Sequence, residues 1–122
     1  MGKVMVVDDE VGICEVLEKF LAARDHDVYT AFDGQTALRK VREIKPQVVL
    51  LDVALPGIDG LEVLKEIRKI DPGIGVVMVT GLMDHEQARR TFELGAYDYV
   101  TKPVDFSYLD HVISAKMIEL MS

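Results

Sequence analysis

The chain has one cysteine and no run approaching the roughly 20 apolar residues that a bilayer-crossing helix needs. A lone thiol closes no internal disulfide, and Cys14 falls in a helical apolar pattern, so it reads as buried in a reducing compartment. The start, Met1-Gly2-Lys3-Val4-Met5-Val6-Val7-Asp8, runs out of apolar residues too soon for a signal peptide, and Val6 breaks the myristoylation pattern. Basic residues are scarce: 14 against 21 acidic, a net charge of −7, which argues against direct nucleic-acid binding. There is no internal repeat, low-complexity run or linker, and His26, His85 and His111 show no metal spacing and are expected at the surface. What remains is a soluble cytoplasmic protein with no membrane partner, whose 122 residues suffice for one domain, 1–122, and not two.

The most informative stretch is Val48-Val49-Leu50-Leu51-Asp52-Val53-Ala54-Leu55-Pro56-Gly57-Ile58-Asp59-Gly60. Four consecutive apolar residues predict a strand buried on both faces, yet it ends in an aspartate. Leu55-Pro56-Gly57 then forces a turn, so the loop holds the Asp52 carboxylate at the lip of a sheet.

The same alternation recurs along the chain. Strands are expected at Lys3 to Val7, Val28 to Ala31, Ile74 to Val79 and Tyr97 to Thr101. Helical spacing runs from Val11 to Arg24 through Ile13, Cys14, Val16, Leu17, Phe20 and Leu21, and from Gly34 to Ile44. It returns from Leu61 to Ile70 and from about His85 to Leu94, where Asp84 and Gln87 have capping-box spacing. That fourth helix has almost only Ala88 and Phe92 to bury and should be the least firmly held. Asp105 caps a last helix with Phe106, Leu109, Ile113, Met117 and Leu120 on its apolar face. Strand and helix alternate five times with short connections, which predicts an α/β, doubly wound, five-stranded parallel sheet. The most apolar strands belong in the middle, giving the order 2-1-3-4-5, with a ligand-binding switch point between the first and third strands.

That topology gathers polar strand ends at one rim: Asp8, Asp9 and Glu10, then Asp52, Thr80 and Lys102. Clustered carboxylates repel unless a cation joins them, and a hard oxygen-seeking ion such as Mg²⁺ suits the need. Lys102 and Thr80 add a positive charge and a hydroxyl donor for an incoming phosphoryl group. Taken singly these residues have plainer explanations: an acid at a strand end often caps the next helix, Thr80 is a turn residue, and Tyr99 is an edge-strand aromatic. Arg39, Lys40, Arg42, Arg89 and Arg90 read as solvated helix faces.

In their joint spacing these motifs resemble the receiver domain of two-component response regulators, over the whole chain. The resemblance implies the flavodoxin-like (βα)5 receiver fold, with Asp52 as phosphoacceptor, Asp8 and Asp9 as the acidic pair, and Thr80 and Tyr99 as the switch hydroxyl and aromatic. It further implies Lys102 as the lysine before a cis Pro103, and Mg²⁺ (Mn²⁺ able to substitute) held by Asp9, Asp52 and the Ala54 backbone carbonyl, with Asp8 acting partly through water. Implied partners are a sensor histidine kinase or phosphotransfer protein, an output domain or target protein on the face of the fourth helix, fifth strand and fifth helix, and a second copy as a homodimer. Ala54 and Leu82, two residues after Asp52 and Thr80, would shape the lifetime of the phosphoryl bond in opposite senses. The last helical pattern is still running at Leu120-Met121-Ser122, which suggests a domain cut from a longer regulator rather than a stand-alone receiver.

Three rival classes are weighed against that reading. A Mg-dependent aspartate-nucleophile phosphatase needs a second aspartate two residues after the nucleophile, where this chain has Ala54. A flavodoxin-like carrier needs a Ser/Thr/Gly phosphate cradle after the first strand, where Asp8-Asp9-Glu10 would repel phosphate. A receiver that works unphosphorylated usually lacks part of the site. By these tests the chain is no enzyme beyond catalysing its own phosphorylation and dephosphorylation.

Overall fold

Residue-for-residue pairing of parallel strands sets the frame of the molecule. The computed structural model describes residues 2–81 and 84–122. Among them the order is β1 (Lys3–Val7), α1 (Val11–Ala22), β2 (Asp27–Ala31), α2 (Gly34–Ile44), β3 (Val48–Leu51), α3 (Gly60–Ile70), β4 (Gly75–Thr80), α4 (His85–Glu93), β5 (Asp98–Thr101) and α5 (Phe106–Met121). The strands form one parallel sheet in the order β2-β1-β3-β4-β5, the flavodoxin-like doubly wound arrangement. β3 and β4 are buried along their whole length and β1 from its second residue on, so they take the centre; β2 and β5 are only partly buried and take the edges.

Alternate strand residues feed two cores. Met5, Val7, Val49, Leu51, Val76 and Met78 pack with Ala37 and Val41 of α2 and with Val63, Leu64 and Ile67 of α3. Val4, Val6, Leu50, Val77 and Val79 pack on the other face with Cys14, Leu17 and Leu21 of α1 and Leu109 and Ile113 of α5. Each such fully buried aliphatic contributes about 1.5–3 kcal/mol of transfer free energy.

The structure corrects the sequence reading at several side chains. Phe92 of α4 is exposed and meets Tyr99 edge-on at 5.8 Å; the residue that α4 buries is Thr91, whose methyl packs while its hydroxyl donates to the Ala88 carbonyl at 2.7 Å. On α5, Leu120 is exposed and Lys116 is buried, its stem lying over Gly75 while its ammonium reaches Glu119 at 3.3 Å. Val16 of α1 is exposed as well. His26 is half-buried rather than on the surface, and burial holds its pKa below the usual histidine value. Cys14 is buried as expected; burial above all, with the Asp8 charge next, pushes its thiol up to about 11.

Register delivers the polar strand ends to one place. Val7 pairs with Leu51, so Asp8 and Asp52 leave the sheet side by side, and the Asp52 amide donates to the Val7 carbonyl at 3.0 Å. Thr80 pairs with Thr101, and the Lys102 amide donates to the Thr80 carbonyl at 2.7 Å. After Asp52 the chain turns through Gly57, whose φ of 75° lies in the left-handed region, and re-enters α3 pressed against itself. The Gly60 amide donates to the Val53 carbonyl at 2.8 Å; a Cβ there would run into the Asp52 carbonyl and come within 2.6 Å of the Val53 Cα.

Two predictions follow from this packing. Gly60→Ala should lower the stability to urea by ~2 kcal/mol or more, since rigid backbone has to move, whereas Gly12→Ala, with nothing near its Cβ, should raise it by up to ~1 kcal/mol; equal effects would contradict the close approach. A maleimide or iodoacetamide should label Cys14 at pH 8 only as the protein unfolds, and labelling of the native protein at the rate of a free thiol would contradict its burial.

Candidate functional site

Among the described residues, aspartates cap four of the five helices, each accepting a backbone amide of the first turn: Asp33 from Thr36, Asp59 from Glu62, Asp84 from Gln87 and Asp105 from Tyr108. α1 is the exception, because its cap residue, Glu10, makes no side-chain cap. Asp8 instead turns inward, and its Oδ1 accepts the Glu10 amide at 2.9 Å. The carboxylates after β1 are therefore not explained as helix caps.

Asp8 and Asp52 are 2% and 5% exposed. Lys102, carried past the end of β5, places its Nζ 2.7 Å from Asp8 Oδ2, 3.1 Å from Asp52 Oδ2 and 3.5 Å from Glu10 Oε1. The other Asp52 oxygen, Oδ1, accepts the Thr80 hydroxyl at 2.7 Å and the Ala54 amide at 3.2 Å. Both oxygens are thus held, and the plane of the carboxylate is fixed. Burial works against the Lys102 charge, but hydrogen bonds to Asp8 and Asp52 outweigh it and hold its pKa above the ordinary lysine range. Burial raises the Asp8 pKa, with the Asp52 charge acting in the same sense and the bonds from Lys102 and Glu10 opposing it.

Oxygens of Asp8, Glu10 and Asp52 lie within 4.8 Å of one another. With all three ionised, they face one ammonium and leave two negative charges in excess. A donor set of carboxylate oxygens alone, with no thiol or imidazole, fits a hard divalent cation such as Mg²⁺.

The structure brings Asp8, Asp52, Thr80 and Lys102 together. It does not add Asp9, which is exposed and outside the three-carboxylate group; Glu10 stands there instead. Sequence reasoning placed Glu10 at the rim but gave it no task, and the available signal was its position two residues after Asp8. Ala54 is exposed beside Asp52, Tyr99 is half-buried against the first core, and Leu82 lies outside the described residues. The Lys102-Pro103 peptide is cis.

Comparison with known proteins agrees with this fold. The model of the response regulator receiver domain matches residues 4–114, and the chain belongs to that family. It is similar to a CheY-like receiver domain protein from Methanospirillum hungatei JF-1, at 28% identity over 98% of this chain and 95% of that one, with a TM-score of 0.93. It is also similar to the receiver domain of NtrX from Brucella abortus, at 37% identity over 93% and 96% of the two chains (TM-score 0.86); of a longer NtrX structure it spans 28%. The BeF3-activated receiver domain of DrrB is 34% identical over 96% and 97%, with a TM-score of 0.88. The chain is accordingly a response-regulator receiver domain of the two-component class, a family not made up of classical enzymes. No helix among the described residues is long and apolar enough to cross a membrane.

A pH dependence follows from Asp8. Because its folded pKa is raised, the folded state binds more protons than the unfolded one above the usual carboxylate value, and stability falls as pH rises through that window. Asp8→Asn should therefore be more stable than wild type at pH 7 in buffer without divalent ions, and the gain should shrink toward pH 4 in urea titrations. A variant less stable at pH 7 would contradict the sign.

Proposed function

We propose that Asp52 accepts a phosphoryl group from a phosphohistidine of a sensor kinase or phosphotransfer protein, or from a small acyl phosphate, and that the resulting acyl phosphate switches the face formed by α4, β5 and α5. The observation that carries the reading is the fixed Asp52 carboxylate, bonded by the Thr80 hydroxyl, the Ala54 amide and the Lys102 ammonium. An Asp52 oxygen attacks the phosphorus in line, forming the P–O bond as the bond to the donor breaks. Lys102 and the Thr80 hydroxyl lie where charge develops on the phosphoryl oxygens, and the Ala54 amide keeps the carboxylate aimed. Asp8, Asp52, the Ala54 carbonyl and, by the family pattern, Asp9 would hold a divalent cation, which supplies further positive charge to those oxygens when bound. The exposed Ala54 offers no second acid, which disfavours a phosphatase turning over external substrates.

Phosphorylation redistributes conformations only by binding one more strongly than another. Thr80 now bonds the carboxylate; in the esterified site its hydroxyl would bond the phosphoryl group instead, and Tyr99 would turn into the space released. Asp98 ties this region together, accepting the Tyr99 amide at 2.7 Å and the Tyr108 hydroxyl at 2.6 Å. An output domain, a target protein or a second copy would read the altered face in the cytoplasm. The share of the longer NtrX chain that this one spans supports a module within a larger regulator.

Incubation with Mg²⁺ and acetyl phosphate should add the mass of one phosphoryl group. Labelling should vanish in Asp52→Asn and in excess EDTA; an Asp52→Asn protein that still labels would remove Asp52 from its role. Thr80→Ala should still label but lose the phosphorylation-induced amide shifts around Tyr99, and their persistence would break the proposed coupling.

A further inference from the structure

Glu10 is left without a task by the mechanism above. Its amide is pinned by Asp8 Oδ1 at 2.9 Å, which places the residue over the site, and its side chain, 65% exposed, caps nothing on α1. That side chain points back to Lys102, with Oε1 3.5 Å from Nζ. An ammonium carries three donors; two bond Asp8 and Asp52, at 2.7 and 3.1 Å, and the Glu10 carboxylate faces the third side as an ion pair at 3.5 Å rather than as a hydrogen bond. A phosphoryl group that needs Lys102 has to compete with one of these contacts. Asp8 is buried and bonded by another group, so it has no water to turn to, and Asp52 is the acceptor itself. Glu10 is the longest contact and the exposed one, and an exposed ion pair is weak enough to give up.

We infer, on the basis of the phosphoacceptor reading, that Glu10 determines donor specificity: its carboxylate occupies Lys102 in the resting site and repels small anionic phosphodonors, which must displace it. A free acyl phosphate brings only its own charge to that exchange. A protein donor also brings buried docking surface, which offsets the cost, so Glu10 biases the site toward protein donors.

The test is the half-saturating acetyl phosphate concentration of wild type and Glu10→Gln at excess Mg²⁺, with circular dichroism confirming that both fold. Removing the charge should lower that concentration about two- to fivefold, the range an exposed pair allows, with the maximal rate moving less. The difference should close in about 1 M KCl, where exposed charges are screened. Beryllofluoride, which needs no group transfer, should bind Glu10→Gln more tightly by a similar factor in thermal-shift titrations. Superimposable donor curves, a difference untouched by salt, or a raised Mg²⁺ requirement with an unchanged donor curve would each overturn the role. If wild type itself takes no label on Asp52, the phosphoacceptor reading fails and this inference with it; if wild type labels and the variant's curve superimposes, only the role of Glu10 fails.

Discussion

Two carboxylates buried side by side in one protein can stay ionised only if something positive is buried with them. At a few ångströms and the reduced dielectric of a protein interior, each pair of like charges costs several kcal/mol, far more than a surface pair. Lys102 meets that constraint for Asp8 and Asp52, and the rest of the structure follows from it. The register of β1 on β3 puts the two acids together, and the pairing of β4 with β5 brings the ammonium over them. Gly60 lets the loop after Asp52 close without pushing the acid aside. A net charge that one ammonium does not cancel leaves the site receptive to a further cation, and the balance shifts again when a phosphoryl group arrives.

The fold was legible because the physics of a parallel sheet writes itself into runs of apolar residues. Val48-Val49-Leu50-Leu51 and Ile74 to Val79 have no polar face, and only a strand covered on both sides explains them; the weaker strands then fall at the edges by default. Asp52, Thr80 and Lys102 were legible for the complementary reason, as polar groups where such runs stop. Glu10 was legible in place but not in task, because an exposed glutamate opening a helix is ordinary in sequence; only the inward turn of Asp8, which pins the Glu10 amide, reveals where its side chain goes. Lys116 was missed on similar grounds: periodicity counts it as polar, but its stem fills the space over Gly75. At Thr91 and Phe92 the pattern misleads in the other direction, since the smaller residue fits under α4 and the larger one is left to Tyr99.

α4 differs from its neighbours in what secures it. α2 and α3 bury aliphatic rows in the first core, whereas α4 buries a single threonine. Its ends are fixed by other means: Asp84 caps the start, and at the far end the chain turns through Gly95, against which the Arg68 side chain of α3 lies. An element secured at its ends more than along its length is of the sort that moves at low cost, because few apolar contacts have to be broken together. It lies beside Tyr99, next to the strand whose continuation carries Lys102, so the least anchored helix adjoins the most constrained polar cluster.

The ion pair of Lys102 with Asp8 joins residues 94 positions apart, and that with Asp52 joins residues 50 apart. Such separations have a consequence during synthesis. A nascent chain that has emerged only through β4 already has the strands that bring Asp8 and Asp52 together but not the lysine that lets them stay charged in the interior. Until the last strand leaves the ribosome, those two acids must remain hydrated, protonated or apart. The functional rim therefore becomes electrostatically whole only once β5 and Lys102 have emerged, and fragments ending before β5 would carry an internal repulsion that no amount of apolar packing around them removes.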